Sequence, residues 1–117
     1  MRRAPLDAFT QAYIECALWV GIVDDNDGQY TLDDLAQEAL AVMTADCAAF
    51  QRDHADDITT GTDQRAGHDF YLTRNRHGAG FWDGDWSPEV GKRLTDAAHT
   101  YGPQDLYVGD DGKVYAQ

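Results

Sequence analysis

The heptapeptide HDFYLTR, residues 68–74, decides how the second half of this chain is read. Its residues alternate and carry two adjacent aromatics, the pattern of a half-buried β-strand. Read so, residues 75–78 turn the chain and residues 79–83 (AGFWD) return beside it as a second strand. Three glycines, two tryptophans, two histidines and three aspartates lie within residues 68–86, so the same stretch also invites ligand-binding readings.

Working outward from it, Ser87-Pro88-Glu89 opens a helix, with a serine cap, proline at the first helical position and an acid in the first turn. Val90, Leu94, Ala97, Ala98 and Tyr101 form its apolar side, and Gly102-Pro103 ends it. Residues 105–108 and 113–115 read as two further strands around an Asp-Gly hairpin signal. Towards the N-terminus, residues 58–67 are polar and glycine-bearing and read as a linker. Thr31 with Asp34 resembles a capping box and begins a helix whose stripe is Leu32, Ala36, Leu40, Met43, Cys47 and Phe50. On a helical wheel Asp34, Glu38 and Asp56 lie opposite the stripe, and Asp46, Asp53 and Asp57 lie along one flank. Residues 6–22 form a first helix, apolar nearly all round and so expected to be central. The order predicted is ααββαββ: one domain over residues 1–117, of α+β class. An acidic antiparallel helical hairpin (1–58) precedes a ββαββ part (67–117), whose four-stranded, mostly antiparallel sheet has helices on one face.

Composition narrows function more than motif does. The chain has 117 residues and 21 acids against 9 bases, a net charge of −12, with aspartate far ahead of glutamate. Residues 1–64 hold 13 acids and 3 bases. Such a field repels nucleic acid and anionic membranes and attracts basic surfaces, so direct nucleic-acid binding is disfavoured. Acidity can also serve solubility alone. No apolar run is long enough to span a bilayer, and Cys16 and Cys47 sit in helical patterns as buried thiols, so a cytoplasmic protein is expected.

Each motif has a plainer reading beside it. Gly78, Gly80 and Gly84 run one residue longer than the dinucleotide fingerprint, with no helix following and no lysine near; a tight turn suits them better. His68, Asp69, His77 and Asp83 could converge on zinc across the first hairpin, the basis of an alternative reading as a small metal-dependent hydrolase. Asp25, Asp27, Gly28 and Asp34 resemble a defective calcium loop and read as a turn and cap. Cys16 lacks an adjacent base, and the lone serine, Ser87, is a cap. No catalytic residue, metal or cofactor is assigned. Trp82 and Trp86 could form an aromatic knob among acids, able to anchor an interface.

The features GHDFYLTRNRHGAGFWD, then G-x-x-L-T-x-A-A, then DLYVGDDGKVY resemble a family of short uncharacterised proteins of bacteriophages and other mobile elements, over residues 67–115. The resemblance implies a setting in which small proteins disable host machinery, and no residue role carries over. With the charge, it leads to an expectation: a non-enzymatic acidic inhibitor of a host nucleic-acid-handling complex, most sharply an anti-CRISPR protein acting as a nucleic-acid mimic. The expected partner-binding residues are Asp24, Asp25, Asp27, Asp33, Asp34, Glu38, Asp46, Asp53, Asp56 and Asp57, with Trp82 and Trp86. The alternative is a phage structural or accessory protein with no inhibitory role.

Overall fold

The computed structural model describes residues 6–20, 30–77, 79–82 and 85–116. Helix α1 is Ala8–Val20, α2 is Gln37–Ile58, α3 is Asp63–Arg74 and α4 is Pro88–His99; strands β1 (Leu106–Val108) and β2 (Val114–Ala116) close the chain. The fold is helix-rich with a small two-stranded antiparallel sheet, in place of the expected four-stranded one.

The overturned element is the opening heptapeptide. HDFYLTR forms the last two turns of α3. Thr62 starts this helix by accepting the Arg65 N–H, Asp63 suits its positive end, and Arg74 lies at its negative end. Every residue from Asp69 to Arg74 is buried. A helix surrounded on all sides has no polar face to impose a 3.6-residue period, so the aromatic run imitated a strand. Residues 79–82 contain no strand either; Phe81 caps the core from a turn, its N–H donated to Thr73 Oγ1 at 3.1 Å.

The expected hairpin of the first two helices is also corrected: α1 packs chiefly on α3, and α2 joins them through its stripe. The cause is Gly67. A methyl group there would overlap the carbonyl oxygen of Phe9, so the α1 and α3 backbones approach more closely than any larger residue would allow. Helix α3, not α1, is the central element; Trp19 and Val20 at the end of α1 are exposed. Around α3 the aromatic rings of Phe9, Tyr13, Phe50, Phe70 and Phe81 form the core, with Phe50 stacked on Phe70 at 4.1 Å between centroids. Met43, Cys47 and Phe50 of the α2 stripe are fully buried there. Helix α4 begins as expected, Ser87 Oγ accepting the Val90 N–H at 3.3 Å with Pro88 next. Leu106 and Val114 anchor the hairpin to this core.

Candidate protein-interaction surface

Among the described acidic residues, some are held by cations of the chain and others are turned to solvent. Asp46, expected on the flank of α2, meets Arg74 at 2.9 Å. The Arg74 side chain is only 4% exposed. It also donates to the Gly102 carbonyl at 2.8 Å, to the Tyr101 carbonyl at 3.2 Å and to Tyr13 Oη at 3.1 Å. The guanidinium lies 5.5 Å from the ring centroids of both Phe70 and Tyr101. One planar fork thus neutralises Asp46, satisfies two carbonyls beyond the end of α4 and covers two rings.

Asp57 is held in the same manner by Arg93 of α4, through two bonds of 2.8 and 2.7 Å. These bonds from Arg93 pull its carboxyl below the ordinary value. The helix has non-helical angles at His54 (φ −130°, ψ 25°), so the ideal wheel ceases to apply beyond that point. Asp53 pairs with its neighbour Arg52 at 3.2 Å, in a solvated contact that constrains little. Asp34 accepts the Thr31 N–H at 2.8 Å, in the expected capping box. The turn it closes is a short 3-10 segment, Leu32–Asp34, and α2 itself starts at Gln37.

Exposed carboxylates lie towards both ends of α2: Asp33 and Glu38 at the first, Asp53 with its solvated partner Arg52, and Asp56, at the second. The exposed middle of the helix carries Ala41, Val42, Ala45 and Ala48, with no acid among them. The carboxylates expected opposite the stripe and along its flank therefore give two exposed acidic ends, separated by about 22 Å along the helix from Glu38 to Asp53 at 1.5 Å per residue. Asp24, Asp25 and Asp27 lie outside the described residues, as do Gly28 of the calcium-like loop, Gly78, Asp83 and Gly84.

The two tryptophans part company. Trp82 is 46% exposed and Trp86 only 6%. The Trp86 indole donates to Asp69 Oδ2 at 2.8 Å inside the core and packs edge-on against Phe81. Sequence reasoning gave both one role because spacing within a loop says nothing about which ring turns inward.

The premise of a zinc site, two histidines facing each other across a hairpin, goes with the strands. His68 lies in α3 and His77 follows its end, where the ring packs near Tyr71. No group of three or more His, Cys, Asp or Glu able to hold a metal occurs among the described residues. His68 and Asp69 instead line a cleft of about 680 Å³ between α1 and α3, with Glu15, Cys16, Trp19 and Arg65. Burial, aided by the nearby Asp69, pushes the Cys16 thiol up to about 12, so it is no thiolate at neutral pH. Cys16 and Cys47 are both free and buried.

Among the described residues no helix is long and apolar enough to cross a membrane. No protein-family model, curated protein or solved structure matches the chain.

Proposed function

We propose that the chain is a non-enzymatic acidic binding protein of a mobile genetic element, which occupies a basic surface of a host nucleic-acid-handling complex and competes there with phosphate. A CRISPR effector is one complex with such a surface. What supports this reading is the placement of the cations. Among the described residues Arg65, Arg74, Lys92 and Arg93 each hold an aspartate that the proposed contact does not use, Arg52 meets Asp53 only in a solvated pair, and 21 acids against 9 bases leave a large surplus of carboxylate. The field that reaches solvent is strongly negative and draws in a basic partner.

The contact is assigned to the two ends of α2, through Glu38 at one and Asp53 and Asp56 at the other. Asp46 and Asp57 serve the fold and keep their arginines. The test is a capture experiment from nuclease-treated host lysate. The wild type is compared with a variant carrying Glu38→Gln, Asp53→Asn and Asp56→Asn, both checked to be folded by a cooperative melting transition. A nucleic-acid-binding complex retained by the wild type, and lost both by the variant and on raising salt, is the expected result. Equal retention by the variant, or retention indifferent to salt, sinks the reading.

A further inference from the structure

Helices α1 and α3 meet closely where Gly67 faces the Phe9 carbonyl, and beside that contact they leave the cleft of about 680 Å³. Ala8 and Ala12 are too small to fill it from the α1 side. Cys16 and Asp69 are buried along it, and His68 is half-buried. Glu15 and Trp19 also line it, four residues apart on α1 and therefore on one helix face, and both are exposed. Trp19 is 77% exposed, the reverse of the burial an indole ordinarily finds. A large ring and a carboxylate thus stand together on the wall of one cavity.

We propose that this cleft receives an arginine side chain of a partner protein, its guanidinium stacked on the Trp19 indole and bonded to the Glu15 carboxylate. A planar guanidinium suits both groups at once, because it is attracted to the face of an indole and its fork matches a carboxylate. A lysine ammonium meets the same charge but is more strongly hydrated and has no flat face. Glu15 is available for this role. Its Oε2 accepts the Gln11 Nε2–H at 3.2 Å, and no cation among the described residues holds it. Thr62 and Gln64 add a hydroxyl and an amide to the lining, suited to the peptide groups on either side of the arginine.

The charges of the two walls agree with a cationic occupant. Helices α1 and α3 together carry Glu15, Asp63 and Asp69 against Arg65, His68 and Arg74. Both arginines are already occupied: Arg65 lines the cleft but is held by Asp85 at 2.6 Å, and Arg74 is buried on Asp46 at 2.9 Å. The last turn of α1 has no basic residue, so its negative end adds to the pull on a cation beside Trp19. A second copy could offer its exposed Arg76, but two chains of net charge −12 repel each other. No residue of α2 lines the cleft, so the inference stands whether or not the α2 reading does.

The probe is a capped pentapeptide with one arginine between glycine pairs, added to the full chain and followed by nuclear magnetic resonance. The indole N–H signal of Trp19, assigned through Trp19→Phe, is expected to shift and to saturate with a Kd of about 1 mM or tighter. The signal of Trp82, an exposed indole away from the cleft, serves as the control and is expected to stay in place. The lysine counterpart is expected to bind about threefold more weakly or worse. The citrulline counterpart, of the same shape without the charge, is expected to leave the signal unmoved. Glu15→Gln keeps an acceptor for Gln11, removes the charge at an exposed position, and is expected to weaken the arginine peptide about threefold or more. Several outcomes overturn the proposal. No saturation by about 10 mM leaves no specific site. Equal binding by the lysine peptide, an equal shift at Trp82, or binding unchanged by Glu15→Gln reduces the effect to general charge attraction. Methylguanidinium binding more tightly than the peptide would make the occupant a free small cation. A Trp19 signal that moves with protein concentration alone would make the cleft a contact between copies.

Discussion

Arg74 has no apolar substitute that leaves its neighbours satisfied. Its fork answers Asp46, Tyr13 Oη and the carbonyls of Tyr101 and Gly102, and its faces cover Phe70 and Tyr101. Arg74→Leu keeps the bulk and strands those acceptors, and is expected to cost about 3–5 kcal/mol in urea unfolding. Asp46 reaches solvent, so Asp46→Asn should cost less, about 1–2 kcal/mol. A similar loss in both variants would mean that the pair, not the wider network, carries the stability. The tryptophans give a second comparison at this scale. Trp86→Phe keeps a buried ring and deletes the indole donor to Asp69, which should cost about 1–3 kcal/mol. Trp82→Phe changes an exposed ring and should stay within about 0.5 kcal/mol. Equal effects would show that the burial assigned to Trp86 is wrong.

Helix α4 was legible because its signals are local and its surroundings are two-sided. Ser87, Pro88 and Glu89 mark the start, and Val90, Leu94 and Ala98 are buried against an exposed Lys92, Arg93 and Asp96. Helix α3 was not, because its stripe is lost where packing closes round it, and its cap, Thr62 with Asp63, sat inside what reads as a linker. Its glycine, Gly67, marks a close backbone approach that no period reveals. The α2 stripe was read correctly through Met43, Cys47 and Phe50, yet the carboxylates on its flank were assigned to a partner. Arg74 and Arg93 come from α3 and α4, and nothing in the α2 sequence announces them. The bond between α2 and α4 has a pH signature. Arg93 depresses the folded-state value of Asp57 below the ordinary 3.8. Its contribution to stability is therefore complete above that ordinary value and fades as pH falls through the depressed one. Asp57→Asn should be less stable than wild type at pH 7, with the gap narrowing as pH falls below the ordinary 3.8 and Asp57 itself protonates. Urea melts at a series of pH values from 7 down through the acid range check this; a gap that did not change with pH would assign the loss to packing rather than charge.

At the scale of the whole molecule, attraction and repulsion between charges respond to salt with opposite signs. The ion pairs close over roughly 3 Å: Arg65–Asp85 at 2.6 Å, Arg93–Asp57 at 2.7 Å, Lys92–Asp96 at 2.9 Å. Salt screens most effectively beyond the Debye length, about 10 Å at 0.1 M, so these contacts are partly protected from it. The surplus acids of a −12 chain repel one another across a body of 44 × 31 × 21 Å, distances at which screening is strong. Repulsion should therefore be relieved more than attraction is weakened, and the native state should gain from added salt. Raising NaCl from 20 to 300 mM should lift the thermal midpoint by several degrees, equivalent to about 1 kcal/mol for a domain of this size. In that range the effect is electrostatic rather than one of solvent exclusion, and potassium chloride should reproduce it. The triple variant lacking Glu38, Asp53 and Asp56 carboxylates has three fewer charges to screen, so its midpoint should start higher and rise less. A midpoint that fell with salt in the wild type would mean that the arginine–aspartate pairs dominate. The field around the molecule would then be weaker than its composition implies, and the attraction for a basic partner would lose its physical basis.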